Sequence, residues 1–289
     1  MGFVRIDEDR YRRIEAARDA LTAAVASEQK FDLVIENYLE LEETLLSLAT
    51  RHMVLGGQTA QTIWVEKDLL NRRMLNLLAA ARAYTDQVRQ HVDVVPGLSE
   101  RTKTALSQQY DGRLGFRTME ALRNYVQHRD VPVHSYAVLS KWIENRTKLG
   151  YSMAPALMPK ELKGDRQFKQ SVLSELEALG EQVPLMPLIR EYVEGLSAAH
   201  ETVRDGLKAP CEEWEAVFSA AKADYSRENE GESSIIGLAA VERSEEGKLL
   251  RPVYVLDRLA EYRGHLLKKN ASLVNLARRF VSSDSTIVE

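Results

Sequence analysis

The chain has one cysteine in 289 residues, and its 8 prolines and 15 glycines are few for that length. A single thiol, Cys211, cannot close an internal disulfide, which excludes an oxidised, stapled scaffold and any cysteine-rich zinc site. Scarce Pro and Gly favour long helices over a sandwich of short strands. No run of about 20 apolar residues occurs, so no membrane-spanning helix and no membrane partner are expected. The opening MGFVRIDEDRYRRIE has no apolar signal core, and Gly2 lacks the Ser or Thr of a myristoylation pattern. A cytoplasmic, globular protein is the expectation. Nucleotide-binding GxGxxG, P-loop, HExxH and GxSxG patterns are all missing. The six histidines include no pair three or four residues apart. No metal site and no cofactor are therefore expected.

What the chain does have is helical periodicity. Residues 8–27 and 31–53 each carry apolar residues at helical spacing, and Gly56-Gly57 interrupts the pattern. From Gln58 to Val92 there is neither Gly nor Pro, and Ile63, Leu70, Met74, Leu77, Ala81, Tyr84 and Val88 form a heptad-like seam. Trp64, Leu75 and Leu78 widen it. Two further helices are expected near 99–110 and 117–128. After Pro132 the period shortens to that of strands: VPVHSYAVLSKW with TKLGYSMAPALM, and later SIIGLAAVE with LLRPVYVL, read as two hairpins. Gly247 suits a positive φ in the second turn. The stretch from 165 to 227 reads as helix broken by Pro184, Pro187 and Pro210. Helices at 257–269 and 273–280 and a frayed tail complete the reading. The expected fold is mainly α. An N-terminal helical bundle with a long antiparallel helix pair, residues 1–130, precedes an α+β portion with two short β-hairpins, residues 131–289.

The net charge of −4 hides an asymmetry. Residues 101–170 hold 13 Lys or Arg against 6 Asp or Glu, a local balance of +7, so the remainder carries −11. A basic centre in an acidic chain suits an anion-binding surface. Arg113, Arg117, Arg129, Lys141, Arg146 and Lys148 are the candidate phosphate contacts, and Tyr125, Tyr136 and Trp142 the candidate stacking platforms. His134 alternates with Val133 and is expected on an exposed strand face. Acidic residues dominate 181–232, which argues against a long nucleic-acid footprint.

One segment, RNYVQH at 123–128, places Arg123, polar Asn124 and His128 at the end of a helix. It resembles the Rx4–6H motif of the HEPN superfamily, in which a polar residue often follows the Arg. The resemblance spans about residues 30–135 and makes residues 1–130 a HEPN-like bundle. It implies a metal-independent endoribonuclease or an inactive relative, a homodimer, an RNA substrate, and a bacterial defence or toxin–antitoxin role with a protein antitoxin or other defence partner. It assigns catalysis to Arg123, Asn124 and His128. Positions i and i+5 differ by roughly 140° on a helix, so Arg123 and His128 do not share a face, whereas Asn124 and His128 do. Asn124 is therefore expected to hydrogen-bond His128. The same residues also fit a plain structural reading, with Arg123 paired to Glu120 or another carboxylate and His128 capping the helix end. The alternative function is a non-catalytic helical scaffold that binds protein partners.

Overall fold

Stretches without Gly or Pro become long helices here. The computed structural model describes residues 2–56, 59–143, 146–165, 168–229, 237–244 and 246–281. Helix α1, Glu8–Leu55, is continuous over 48 residues. The break expected near 28–30 is absent, because Ser27 and Glu28 are buried in mid-helix with partners. The Ser27 hydroxyl donates to the Ala24 carbonyl at 2.8 Å, and Glu28 receives a guanidinium. Asp7 caps the start, its Oδ1 accepting the Arg10 N–H at 2.7 Å. Gly56, at φ +63°, ends the helix. Helix α2, Ala60–Val92, begins on a reciprocal cap. The Thr62 N–H reaches the Thr59 hydroxyl at 3.2 Å, and the Thr59 N–H reaches the Thr62 hydroxyl at 2.9 Å.

Helices α3, Leu98–Gly112, and α4, Leu114–His128, lead to strands β1, Ser135–Ile143, and β2, Lys148–Leu157. Short helix α5, Pro159–Leu162, helix α6, Gln170–Leu179, and the two-residue strand β3, Val183–Pro184, precede helix α7, Leu185–Glu228. Strands β4, Ala239–Arg243, and β5, Leu249–Tyr254, lead to helix α8, Asp257–Lys269. The expected helix at 273–280 is only a 3-10 turn, Leu276–Arg278. The fold is thus mainly α with two small antiparallel sheets. One has the order β1-β2-β3, with Ser135 opposite Ala156 and Leu157 opposite Val183. The other is β4-β5, closed by Gly247 at φ +82°. The expected strand start at 233–236 and the tail from 282 lie outside the described residues.

The chain divides into two compact units, each discontinuous in sequence. The first combines residues 1–32, 84–103 and 201–271; the second combines 33–83, 104–200 and 272–289. The expected boundary at 130/131 falls inside the second unit. Helices α1, α2, α3 and α7 each contribute to both, so chain order and packing order differ.

In the first unit, Glu28 of α1 receives a bidentate guanidinium from Arg204 of α7, at 3.1 and 2.8 Å. Arg204 also donates to the Asn270 carbonyl at 2.7 Å and lies 5.5 Å from the Phe31 ring centroid. Phe31 packs against buried Tyr84 with centroids 5.8 Å apart. In the second unit, Phe116 of α4 meets Tyr192 of α7 edge to face at 4.8 Å. Gly115 allows this approach, since a Cβ there would lie 2.3 Å from the Leu188 carbonyl oxygen. The α2 seam is buried from Leu70 to Val88, but Ile63, Trp64 and Leu75 are exposed, against expectation. No helix among the described residues is long and apolar enough to cross a membrane.

Candidate functional site at the end of helix α4

Helix α4 forms because Phe116, Met119, Leu122 and Tyr125 recur at three-residue intervals on one buried face. The Arg129 N–H closes it onto the Tyr125 carbonyl at 2.9 Å. The chain is then held by buried Asn71 of α2, whose Oδ1 accepts the Val133 N–H at 2.8 Å and whose Nδ2 donates to the Val133 carbonyl at 3.4 Å. Asn71 was not singled out from sequence, although an Asn beside Leu70 within an apolar seam is the kind of residue that needs buried partners.

Arg123 is half-buried and fixed. Its Nη1 donates to Glu120 Oε2 at 2.6 Å, while Nη2 and Nε donate to Asn124 Oδ1 at 3.0 and 3.3 Å. Glu120 is itself held, its Oε1 accepting the Tyr192 hydroxyl at 2.9 Å. Burial pushes the Tyr192 phenol far above its ordinary pKa, and the Glu120 charge adds to this. The expected bond from Asn124 to His128 is not formed, because the Asn124 carbonyl turns to Arg123. His128 lies exposed in the last turn, on the same face as exposed Asn124, with no hydrogen bond or ion pair among the described residues. It does not cap the helix, since the capping N–H belongs to Arg129.

His134 is not an exposed strand residue. Its Nδ1 accepts the Met158 N–H at 3.1 Å, which assigns the proton of the neutral ring to Nε2. Burial pushes its pKa down. The ring stands edge-on to Tyr125 at 6.0 Å, and Tyr125 is closed in on another side by Phe168 at 6.5 Å. Tyr125 is therefore buried and offers no platform for a base. Beside it lies a polar cleft of about 440 Å³ lined by Arg129, Asp130, Glu161, Lys163 and Asp165.

The candidate phosphate contacts do not gather in one place. Arg113 turns inward to Glu194 at 3.3 Å, and Arg117 to Glu175 at 2.6 Å and to the Asp111 carbonyl at 2.7 Å. Arg129 is exposed beside Asp165, 4.0 Å away. Lys141, Arg146 and Lys148 belong to the far end of the β1–β2 hairpin, with exposed Trp142. Lys141 is six residues beyond Ser135, roughly 20 Å along the strand. Tyr136 donates instead to Glu66 at 2.7 Å, on the carboxylate oxygen that His52 Nε2 meets at 3.0 Å. That His52–Glu66–Tyr136 cluster had no sequence signal, its members being 14 and 70 residues apart.

Cys211 is buried, and desolvation pushes its thiol up to about 11, which suppresses the thiolate. Among the described residues no group of three or more His, Cys, Asp or Glu could hold a metal ion. No family model, no curated protein and no solved structure matches the chain.

Proposed function

We propose that this chain is a HEPN-like, metal-independent endoribonuclease or an inactive relative of one. In this reading it acts as a homodimer in the cytoplasm, and its bacterial defence or toxin–antitoxin role follows from the resemblance of RNYVQH. The observation that carries the reading is the unequal treatment of two neighbouring groups. Glu120 and Asn124 hold Arg123 in one orientation, while His128, in the last turn, is exposed and has no partner among the described residues.

A free imidazole at the end of a helix can take the proton of a ribose 2′-hydroxyl. The 2′-oxygen then attacks phosphorus, the bond to the 5′-oxygen breaks, and a second proton goes to that leaving oxygen. The products are a 2′,3′-cyclic phosphate and a 5′-hydroxyl. Arg123 spends three of its five N–H groups on Glu120 and Asn124, leaving two for a phosphate oxygen that gains charge in the transition state. A second copy would supply the second imidazole, one acting as base and the other as acid.

The test is RNA cleavage by the purified full chain with His128→Asn and Arg123→Lys. Each substitution should lower the rate by about 10²–10⁴-fold with the melting temperature unchanged. EDTA should leave the rate unaltered, and RNA binding should weaken steeply with salt. Full activity in His128→Asn overturns the assignment. Wild-type protein that neither binds nor cuts diverse RNAs moves the reading to a protein-binding scaffold. The observation on that side is the bare apolar end of the α1–α2 hairpin, where Met53, Val54, Leu55, Trp64 and Val65 are all exposed.

A further inference from the structure

An open groove of about 860 Å³ runs between α1 and α2 in the second unit. Thr44, Ser47, Leu48 and Arg51 of α1 face Val65 and Leu69 of α2 across it. The α1 positions recur at intervals of three and four, so they form one face of the helix. Of the apolar residues that line the groove, Val65 is exposed, and elsewhere on the same two helices Leu39, Leu46, Leu55 and Trp64 are exposed as well.

The charges of the groove are unevenly matched. Arg73 pairs with Glu40, and Glu66 is bound by His52 and Tyr136. Glu43 and Arg51, both exposed, have no partner among the described residues. They stand symmetrically about Ser47, four residues to either side, roughly 6 Å in each direction. Leu39 and Leu55 stand eight residues to either side and are also exposed.

We propose that this groove is the contact between two copies of the chain. In it, two α1 helices run antiparallel about a twofold axis through Ser47, and each Glu43 is bound by the Arg51 of the other copy. Such an axis sets residue 47−n of one helix level with 47+n of its partner. Glu43 then meets Arg51 twice, and Leu39 meets Leu55 twice. Small Ser47 sits at the crossing, where the backbones come closest. A parallel arrangement would set Glu43 against Glu43 and Arg51 against Arg51. A partner of unrelated sequence would give no reason for the reciprocal spacing. The contact is separate from the cleft into which a second copy would bring its His128, and it does not depend on ribonuclease chemistry, since Arg123 and His128 take no part in it.

Light scattering and sedimentation of the full chain test it. The wild type should be dimeric at micromolar concentration. Glu43→Arg and Arg51→Glu should each weaken the dimer about tenfold or more, because each creates two like-charged pairs. The double variant, E43R with R51E, should recover the wild-type affinity. A one-to-one mixture of the two single variants should form a mixed dimer although neither does so alone. Circular dichroism checks that every variant remains folded. A monomeric wild type, single reversals without effect, or a double variant that stays weak each overturns the proposal. RNA cleavage is read separately, so failure here leaves the ribonuclease reading to stand or fall on its own experiment.

Discussion

At the scale of single residues, His134 shows how burial couples to pH. The unfolded imidazole titrates near 6.5, and burial holds the folded one lower. As pH falls through 6.5, the unfolded chain takes up a proton that the folded protein refuses. The unfolded state then binds more protons, so stability declines between about pH 7 and the depressed folded value. Glu161 and Asp130 oppose the shift and Lys67 adds to it, but desolvation dominates. His134→Asn keeps an acceptor for the Met158 N–H and removes the titration. Urea unfolding at pH 7 and pH 5 should show a smaller loss of stability for this variant than for the wild type. His91, also shifted down by burial, is present in both proteins and cancels in the comparison. Equal losses would show that His134 titrates normally. The Arg123–Glu120 pair was legible in the sequence because the two residues are three apart on one helix. The supports Tyr192 and Asn71 were not, since they lie 72 and 62 residues from the groups they hold.

At the scale of elements, the strongest sequence signals were absence of breakers and strict periodicity, and both translated into structure. The α2 seam, the two hairpins and α8 were legible for that reason. Breakers misled where packing overrides them. Pro210 lies within α7, and the helix runs through it unbroken. Proline there removes the N–H that would bond the Gly206 carbonyl and crowds that carbonyl with its ring. Pro187 causes no such loss, because it sits in the first turn of α7, where an N–H has no helical partner. Pro210→Ala should restore the missing bond and improve helix propensity by about 3 kcal/mol, offset by about 1 kcal/mol from a more flexible unfolded chain. A net gain of roughly 2 kcal/mol is expected, read as a higher midpoint in urea. A lower midpoint would mean that the helix depends on a bend at this point. The exposed Ile63 and Trp64 mark the opposite failure. They keep helical spacing with the seam, but among the described residues nothing covers them.

At the scale of the whole molecule, sequence order suggested a cut that packing does not respect. Residues 1–130 read as an independent bundle, yet the groups that complete it come from far along the chain. Glu28 is fully buried in α1, and its guanidinium is supplied by Arg204. Removing one partner of a buried ion pair costs about 3–5 kcal/mol, because the remaining charge stays desolvated. Phe116 and Glu120 of α4 likewise meet Tyr192. A fragment of residues 1–130 therefore retains Glu28 without Arg204, and α4 without its aromatic neighbour on α7. These losses compare with the whole stability of an ordinary domain, about 5–15 kcal/mol. We expect the fragment to lack a cooperative thermal transition by circular dichroism and to be digested rapidly under conditions where the full chain resists. Glu28→Gln in the full chain serves as a milder companion, since it leaves buried Arg204 with only the more exposed Glu201, 3.2 Å away, as counter-charge, and should lower the urea midpoint while keeping the fold. A fragment that melts cooperatively, together with an E28Q protein as stable as the wild type, would show that the N-terminal helices fold as an autonomous bundle.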